Sequence, residues 1–207
     1  MLVELFDDLL SLAIRKGDVQ SLKLLEKYDL GQVEQLQIDI KNISVEIVNG
    51  NKNKYEILGN ADIGKYIKRT FVKNGTKQVL SLDNTSKEMV RFKIKIYLSE
   101  EIAGARIFAK NATVFIKKIA IDVVEITIEN ADLVCERIKA PKLGINAKNG
   151  NCVLCQPETD HCNIKMLNGN LVMEDCKKQD FIVNNQAAGG KKQLNYDIEN
   201  GEIIWNN

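Results

Sequence analysis

Cys152-x-x-Cys155, followed by His161 and Cys162, holds the side chains in this chain best suited to chemistry. Thiolates and imidazole are zinc ligands, and a structural zinc ion takes four of them in a tetrahedron. A single C-x-x-C with an adjacent His-Cys falls short of two such knuckles. On a strand, residues three apart also face opposite ways, so no metal site is predicted. His161 is the only histidine, and activating a thiol would need a further group to orient its ring; none is recognisable beside it. Asp132 and Glu202 are carboxylates at equivalent repeat positions, but Asn151 and Asn170 lie between them, whereas glycoside cleavage needs two carboxyl groups across one bond. Ala187-Ala188-Gly189-Gly190-Lys191-Lys192 lacks the Gly-x4-Gly-Lys-Ser/Thr order of a phosphate-binding loop and reads as a flexible insertion. No catalytic residue, cofactor or small-molecule substrate is predicted.

The cysteines find a different explanation in a repeat. Asn111, Asn130, Asn149 and Asn168 are each 19 residues apart, and Asn200 follows after 32, one period plus an insertion of 13. Four residues before these asparagines stand Ile107, Ile126, Ile145, Ile164 and Tyr196; two before stand Ala109, Ile128, Ala147, Met166 and Ile198. Such period-two alternation marks a strand with one buried face. Three and five residues after each asparagine a second alternating set follows, ending in Ile203 and Trp205. Ala112, Ala131, Gly150, Gly169 and Gly201 come directly after the asparagines, making a corner that tolerates a left-handed backbone. One coil cannot bury its apolar side alone, but stacked coils form a continuous core. Cys135, Cys152, Cys162 and Cys176 share columns with Val, Leu, Ile, Met and Phe, a usual place for reduced cysteine. Only Cys155 falls in a polar column.

These patterns predict a mainly β protein, a right-handed β-solenoid of about 19-residue coils with an N-terminal α-helical hairpin. Residues 1–31 form the hairpin, from helical stretches Met1 to Ala13 and Val19 to Tyr28 broken at Gly17-Asp18. Residues 36–207 form the solenoid: a hairpin-rich strand region over 36–98, then regular coils over 105–207 with an insertion at about 184–196. Asn42, between Ile38-x-Ile40 and Val45-x-Ile47, predicts a first irregular coil. Glu4, Asp7 and Asp8 interrupt the apolar N-terminus, unlike a signal peptide, and no window approaches a membrane span. Five cysteines, an odd number, favour reduced thiols. The expected place is cytoplasmic.

Two surface features stand out as candidates. Phe115, Val134, Val153, Val172 and Ile204 form an apolar column between the two inward ones and so face outward. A stripe of that kind needs a cover: the N-terminal hairpin, a protein partner or a second copy. The other feature is a basic patch. Lys65, Lys68, Arg69, Lys73, Lys77, Arg91, Lys93 and Lys95, with Lys87, stand against only Asp83 and Glu88 in a chain of net charge +1. It reads either as an ordinary solvated sheet face or as a site for an acidic partner or the anionic inner face of the cell membrane, ahead of nucleic acid.

The alternating segment Leu36 to Val48, the strand Arg91 to Leu98 and the recurrent Asn-Gly corners together resemble the bacterial "putative adhesin" domain of unknown function, also called the toastrack domain, over about Leu36 to Asn207. Members commonly place a proline after the leading strand, where this chain has Ser99-Glu100-Glu101. The resemblance implies a right-handed solenoid, a role in bacterial cell-envelope homeostasis or stress sensing, and no catalytic residues. The expected function is a non-enzymatic binding or scaffold module. A polymer-forming scaffold similar to bactofilins is the second reading, and a glycan-acting enzyme the third.

Overall fold

The computed structural model describes residues 22–59, 63–86, 92–176, 180–184 and 192–206. In chain order its elements are β1 (Lys23–Asp29), β2 (Gln35–Lys41), β3 (Ser44–Asn49), β4 (Lys54–Gly59), the single helical turn α1 (Ile63–Tyr66), β5 (Ile67–Asn74), β6 (Lys77–Asn84) and β7 (Phe92–Leu98). The repeat region then supplies β8 (Gly104–Lys110), β9 (Thr113–Lys117), β10 (Val123–Glu129), β11 (Asp132–Glu136), β12 (Lys142–Lys148), β13 (Cys152–Cys155), β14 (His161–Asn168), β15 (Leu171–Glu174), β16 (Phe181–Val183), β17 (Lys192–Asn200) and β18 (Ile203–Asn206).

The described strands form two nine-stranded mixed sheets. The front sheet runs β1-β4-β7-β3-β9-β11-β13-β15-β18 and the back sheet β16-β17-β14-β12-β10-β8-β2-β6-β5. From β8 to β15 the chain alternates between sheets, and each strand pairs in parallel with its equivalent in the next coil. Ile107 lies against Ile126, Ile126 against Ile145 and Ile145 against Ile164, each 19 residues on. Ile164 then lies against Tyr196, 32 residues on, which places the 13-residue insertion between β15 and β17. Inward residues of both sheets meet in one core, where Ile107, Ile126, Val114, Ile116 and Leu133 are fully buried.

The corners explain how the coil closes. Asn42, Asn111, Asn130 and Asn149 themselves take φ of 50–59°, while in the last two coils Gly169 and Gly201 take the positive φ instead. Asparagine tolerates this region because its short amide can bond locally. Each asparagine amide donates to the preceding asparagine's Oδ1 at 2.5 to 3.4 Å, from Asn200 down to Asn42. Asn42 in turn donates to Asp83 Oδ1 at 3.1 Å. A second corner follows β9, β11, β13 and β15, where Lys118, Arg137, Gln156 and Asp175 have φ of 48–53°. It lacks an Asn-Gly signature and reads from sequence only as part of the irregular return. Beyond it, Ala120, Lys139 and Glu158 bridge in parallel, giving the return its own short ladder.

Two expectations are corrected. Lys23–Asp29, assigned from the sequence to the second helix of the 1–31 hairpin, is strand β1, antiparallel to β4. Its register shifts between Leu24 and Glu26. Such a bulge places successive residues irregularly, so the spacing of Leu24-Leu25 and Tyr28 imitates a helical face. The first helix of that hairpin lies outside the described residues. Among the described residues of 36–98 only β5 and β6 make a hairpin, turning at Gly75 with φ of 60°. The Asn49-Gly50 turn joins two strands that do not pair, because β7 lies between β3 and β4.

The predicted first irregular coil is β2–β3, in register with β8–β9 through Ile38 and Ile107, and Ile47 and Ile116. Its other side is taken by β6 and β7. Antiparallel β1, β4 and β5 then close this end.

A Cβ on Gly150 would lie 1.8 Å from the carbonyl oxygen of Ala131, whereas one on Gly144 would meet nothing nearer than 4.0 Å. Gly150→Ala is therefore expected to destabilise the fold by about 3 kcal/mol or more. Gly144→Ala is expected to stabilise it by about 0.5 kcal/mol through lost chain entropy. Thermal and urea unfolding of the two variants checks both signs.

Candidate functional site: the two outer faces

Cys152, Cys155, His161 and Cys162 do not come together on one face. Cys152 is buried on the inward side of β13 and Cys162 on the inward side of β14, in the opposite sheet. His161 is exposed on β14, with Nδ1 2.9 Å from Gln193 Oε1. Cys155 faces outward from β13, its Sγ 3.9 Å from Asp175 Oδ2. Among the described residues no group of His, Cys, Asp and Glu side chains is arranged to hold a metal ion.

Burial pushes the thiols of Cys152 and Cys162 up to about 12 and that of Cys135 well above its ordinary value. Burial and then the carboxylates of Asp175, Glu174 and Glu136 push Cys155 up to about 11. Neutral thiols are poor nucleophiles. Asp132 and Glu202 do not face each other. Asp132 Oδ1 accepts from the Asn151 backbone, Asn151 Oδ1 from the Asn170 backbone and Asn170 Oδ1 from the Glu202 backbone, at 2.9 to 3.2 Å. That column ties one coil to the next.

The outer face of the front sheet carries the apolar stripe. Phe115, Val134, Val153, Val172 and Ile204 lie in register across β9, β11, β13, β15 and β18. Val134, Val153 and Val172 are buried, at 8, 1 and 8 % exposure, in an apolar cluster separate from the main core, with Phe115 and Ile204 partly buried against it. The N-terminal segment predicted as one cover lies outside the described residues through residue 21.

The basic patch is divided by the fold. Lys93 and Lys95 face outward from β7 in the front sheet, Lys68, Arg69, Lys73 and Lys77 belong to the β5–β6 hairpin of the back sheet, and Arg91 and Lys87 lie outside the described residues. Lys65 is on α1, 4.7 Å from the Tyr66 ring centroid. Several of these charges are matched. Lys93 Nζ lies 2.8 Å from Glu46, which Lys117 also approaches at 3.6 Å, and Arg69 pairs with Glu26. Tyr97 sits between Lys54 at 3.9 Å and Lys95 at 5.3 Å from its ring centroid, and its hydroxyl donates to Glu56 at 2.9 Å. Burial and that bond push Tyr97 up to about 12. Glu56 is held below its ordinary 4.5 by the bond from Lys54 and, against burial, by Tyr97. For Glu46 burial raises the carboxyl, but the bond from Lys93 and the charges of Lys93, Lys95 and Lys117 outweigh it.

The outer face of the back sheet holds what single-sequence reasoning missed. Val72, Phe108 and Val123 are 52, 41 and 36 % exposed. Two depressions, of about 310 and 480 Å³, lie end to end along β2, β6, β8 and β10. Phe108 lies three residues before Asn111 in a column whose other members, Thr127, Asn146, Lys165 and Asp197, are polar; that lone aromatic was the available signal.

A lowered carboxyl contributes stability above its unfolded value and loses it as pH falls through the folded value. Glu46→Gln is therefore expected to lower the melting temperature at pH 7, with the gap to the parent protein closing as pH drops below about 4.5. Melting curves from pH 7 to pH 3 read this directly. A second expectation concerns the thiols: at pH 8 a disulfide reagent titrates at most Cys155, slowly and faster toward pH 11, and reaches all five thiols only in denaturant.

No family model matches the chain, and no curated protein matches it. Fourteen chains among solved structures do. One is a "putative cell adhesion protein" from Clostridium sporogenes, 12% identical, covering 89% of this chain and 99% of its own, with a TM-score of 0.46. Another is a "putative adhesin" from Parabacteroides distasonis, 11% identical, covering 88% and 94%, TM-score 0.45. A third, from the same organism, is named a "putative lipid binding protein", 9% identical, covering 87% and 92%, TM-score 0.39.

Proposed function

We propose that this chain is a non-enzymatic binding scaffold, a right-handed β-solenoid whose coils present the long outer face of the back sheet to a partner. The observation that carries this reading is the ladder itself. The 19-residue register runs without a break from β8 to β15, so side chains of one column stand in a row on a rigid face. Right-handedness is what parallel crossover connections adopt in nearly all cases. Cys135, Cys152 and Cys162 serve packing, and the Asp132 carboxylate serves a coil-to-coil bond. The envelope setting implied by the adhesin-type resemblance suits a module of this kind.

The polymer reading fares less well at the chain's N-terminal end. There β1 and β5 run antiparallel to their neighbours, and they expose Lys23, Lys27, Lys68 and Lys73. Edge lysines oppose the addition of a further strand. Head-to-tail growth needs a receptive strand at both ends. Light scattering during size-exclusion chromatography is expected to give one concentration-independent closed species between 1 and 200 μM (about a 200-fold range), and negative-stain microscopy no filaments. Concentration-dependent filaments would replace the scaffold by the polymer.

A further inference from the structure

The back-sheet valley has a chemistry of its own. Its two depressions are lined by three acidic and three basic side chains in the first and by two of each in the second, so the valley as a whole is charge-balanced. Much of this charge is satisfied within the face. Arg106 pairs with Glu125 at 2.7 Å and Lys110 with Glu129 at 2.9 Å, one coil apart. Asp39 accepts from Gln37 at 3.0 Å and from Ser81 at 3.1 Å. A highly charged ligand would have to compete with these pairs.

What the valley does offer is a half-exposed ring, Phe108, with hydroxyls around it. Thr70, Ser81 and Thr127 line the first depression with the ring, and the amides of Gln35 and Gln37 line the second, farther along the same strands. Hydroxyls donate and accept, and amides present both functions side by side. A flat aromatic face takes up an apolar ring edge-on or stacked. A neutral saccharide combines these needs, with one C–H face and a rim of hydroxyls. Gly104 deepens the second depression, since a Cβ there would meet nothing closer than 3.9 Å. The paired charges offer hydroxyl partners already oriented, which lowers the ordering cost of binding.

We propose that the valley over β2, β6, β8 and β10 binds a neutral linear glycan, with Phe108 as its stacking platform. The proposal rests on the scaffold reading and names the ligand class for that face.

The test uses the full chain labelled with nitrogen-15, titrated with soluble glucose and N-acetylglucosamine hexasaccharides and, separately, with a galacturonate hexamer. Neutral hexasaccharides are expected to shift backbone amides of β2, β6, β8 and β10 and leave the front sheet unmoved. Phe108→Ala should weaken that binding about tenfold. Gly104→Tyr, which fills the second depression, should weaken it as much, with both variants melting close to the parent protein. Absence of shifts with every neutral sugar, or shifts indifferent to both variants, overturns the proposal. Binding of the galacturonate hexamer alone also overturns it, while leaving the scaffold reading standing; filaments would remove the scaffold reading independently.

Discussion

In a parallel, in-register stack each residue has its own equivalent above and below it, about 4.8 Å away. That constraint decides which residue types a column can hold. Isoleucine on isoleucine packs well, and asparagine on asparagine bonds well because an amide carries a donor and an acceptor. Like charges stacked at that distance cost energy, and two outer columns set opposite charges together, Arg106 with Glu125 and Lys110 with Glu129, although Lys110 also stands in register with Lys41. Glycine enters where even a methyl group has no room, as at Gly150, Gly169 and Gly201, each against the carbonyl of the coil beside it.

A stack of this kind has two ends, and the chain treats them differently. At the N-terminal end three antiparallel strands lie outside β6 and β7, and their aromatic rings close the core: Tyr28 stacks on Tyr55 at 5.6 Å and meets Phe71 at 5.4 Å. Gln78, buried on β6, donates to the carbonyls of Leu30 and Gln32 and so holds the β1–β2 connection over that end. Asn53, also buried, takes the Ser99 N–H and bonds Gly31. At the other end β16 lies outside β17, and Phe181 packs 5.8 Å from Trp205 across the two sheets. Trp205 ends the column of Ile116, Cys135, Leu154 and Met173, whereas Tyr28, Tyr55 and Phe71 belong to strands outside the coils.

The regular coils were legible because apolar alternation and a recurring asparagine appear in every copy. The second corner was not, since Lys118, Arg137, Gln156 and Asp175 adopt a left-handed backbone without the residue types that usually announce it. β1 was misread because a bulge breaks its alternation. The basic patch looked continuous along the chain, yet Lys93 meets Glu46 from a neighbouring strand, a pairing set by strand order in space. The valley was invisible for the same reason: β5, β6, β2, β8 and β10 are neighbours only after β6 and β7 have been placed outside β2 and β3. Of the two surface candidates, the stripe's outward register and its need of a cover were both readable, because five apolar residues recur at one repeat position.

That placement of β6 and β7 also orders assembly. The coil β2–β3 is flanked on one side by strands that follow it within the next fifty or so residues of chain, while its other side waits for β8 and β9. Residues up to Leu98 therefore build a template with one receptive margin, and synthesis then lays down each coil on the one just finished. Growth runs one way, each step closing a short loop at little entropic cost. It reverses only at β16 and β17, where the last strand laid in the back sheet slips inside its predecessor.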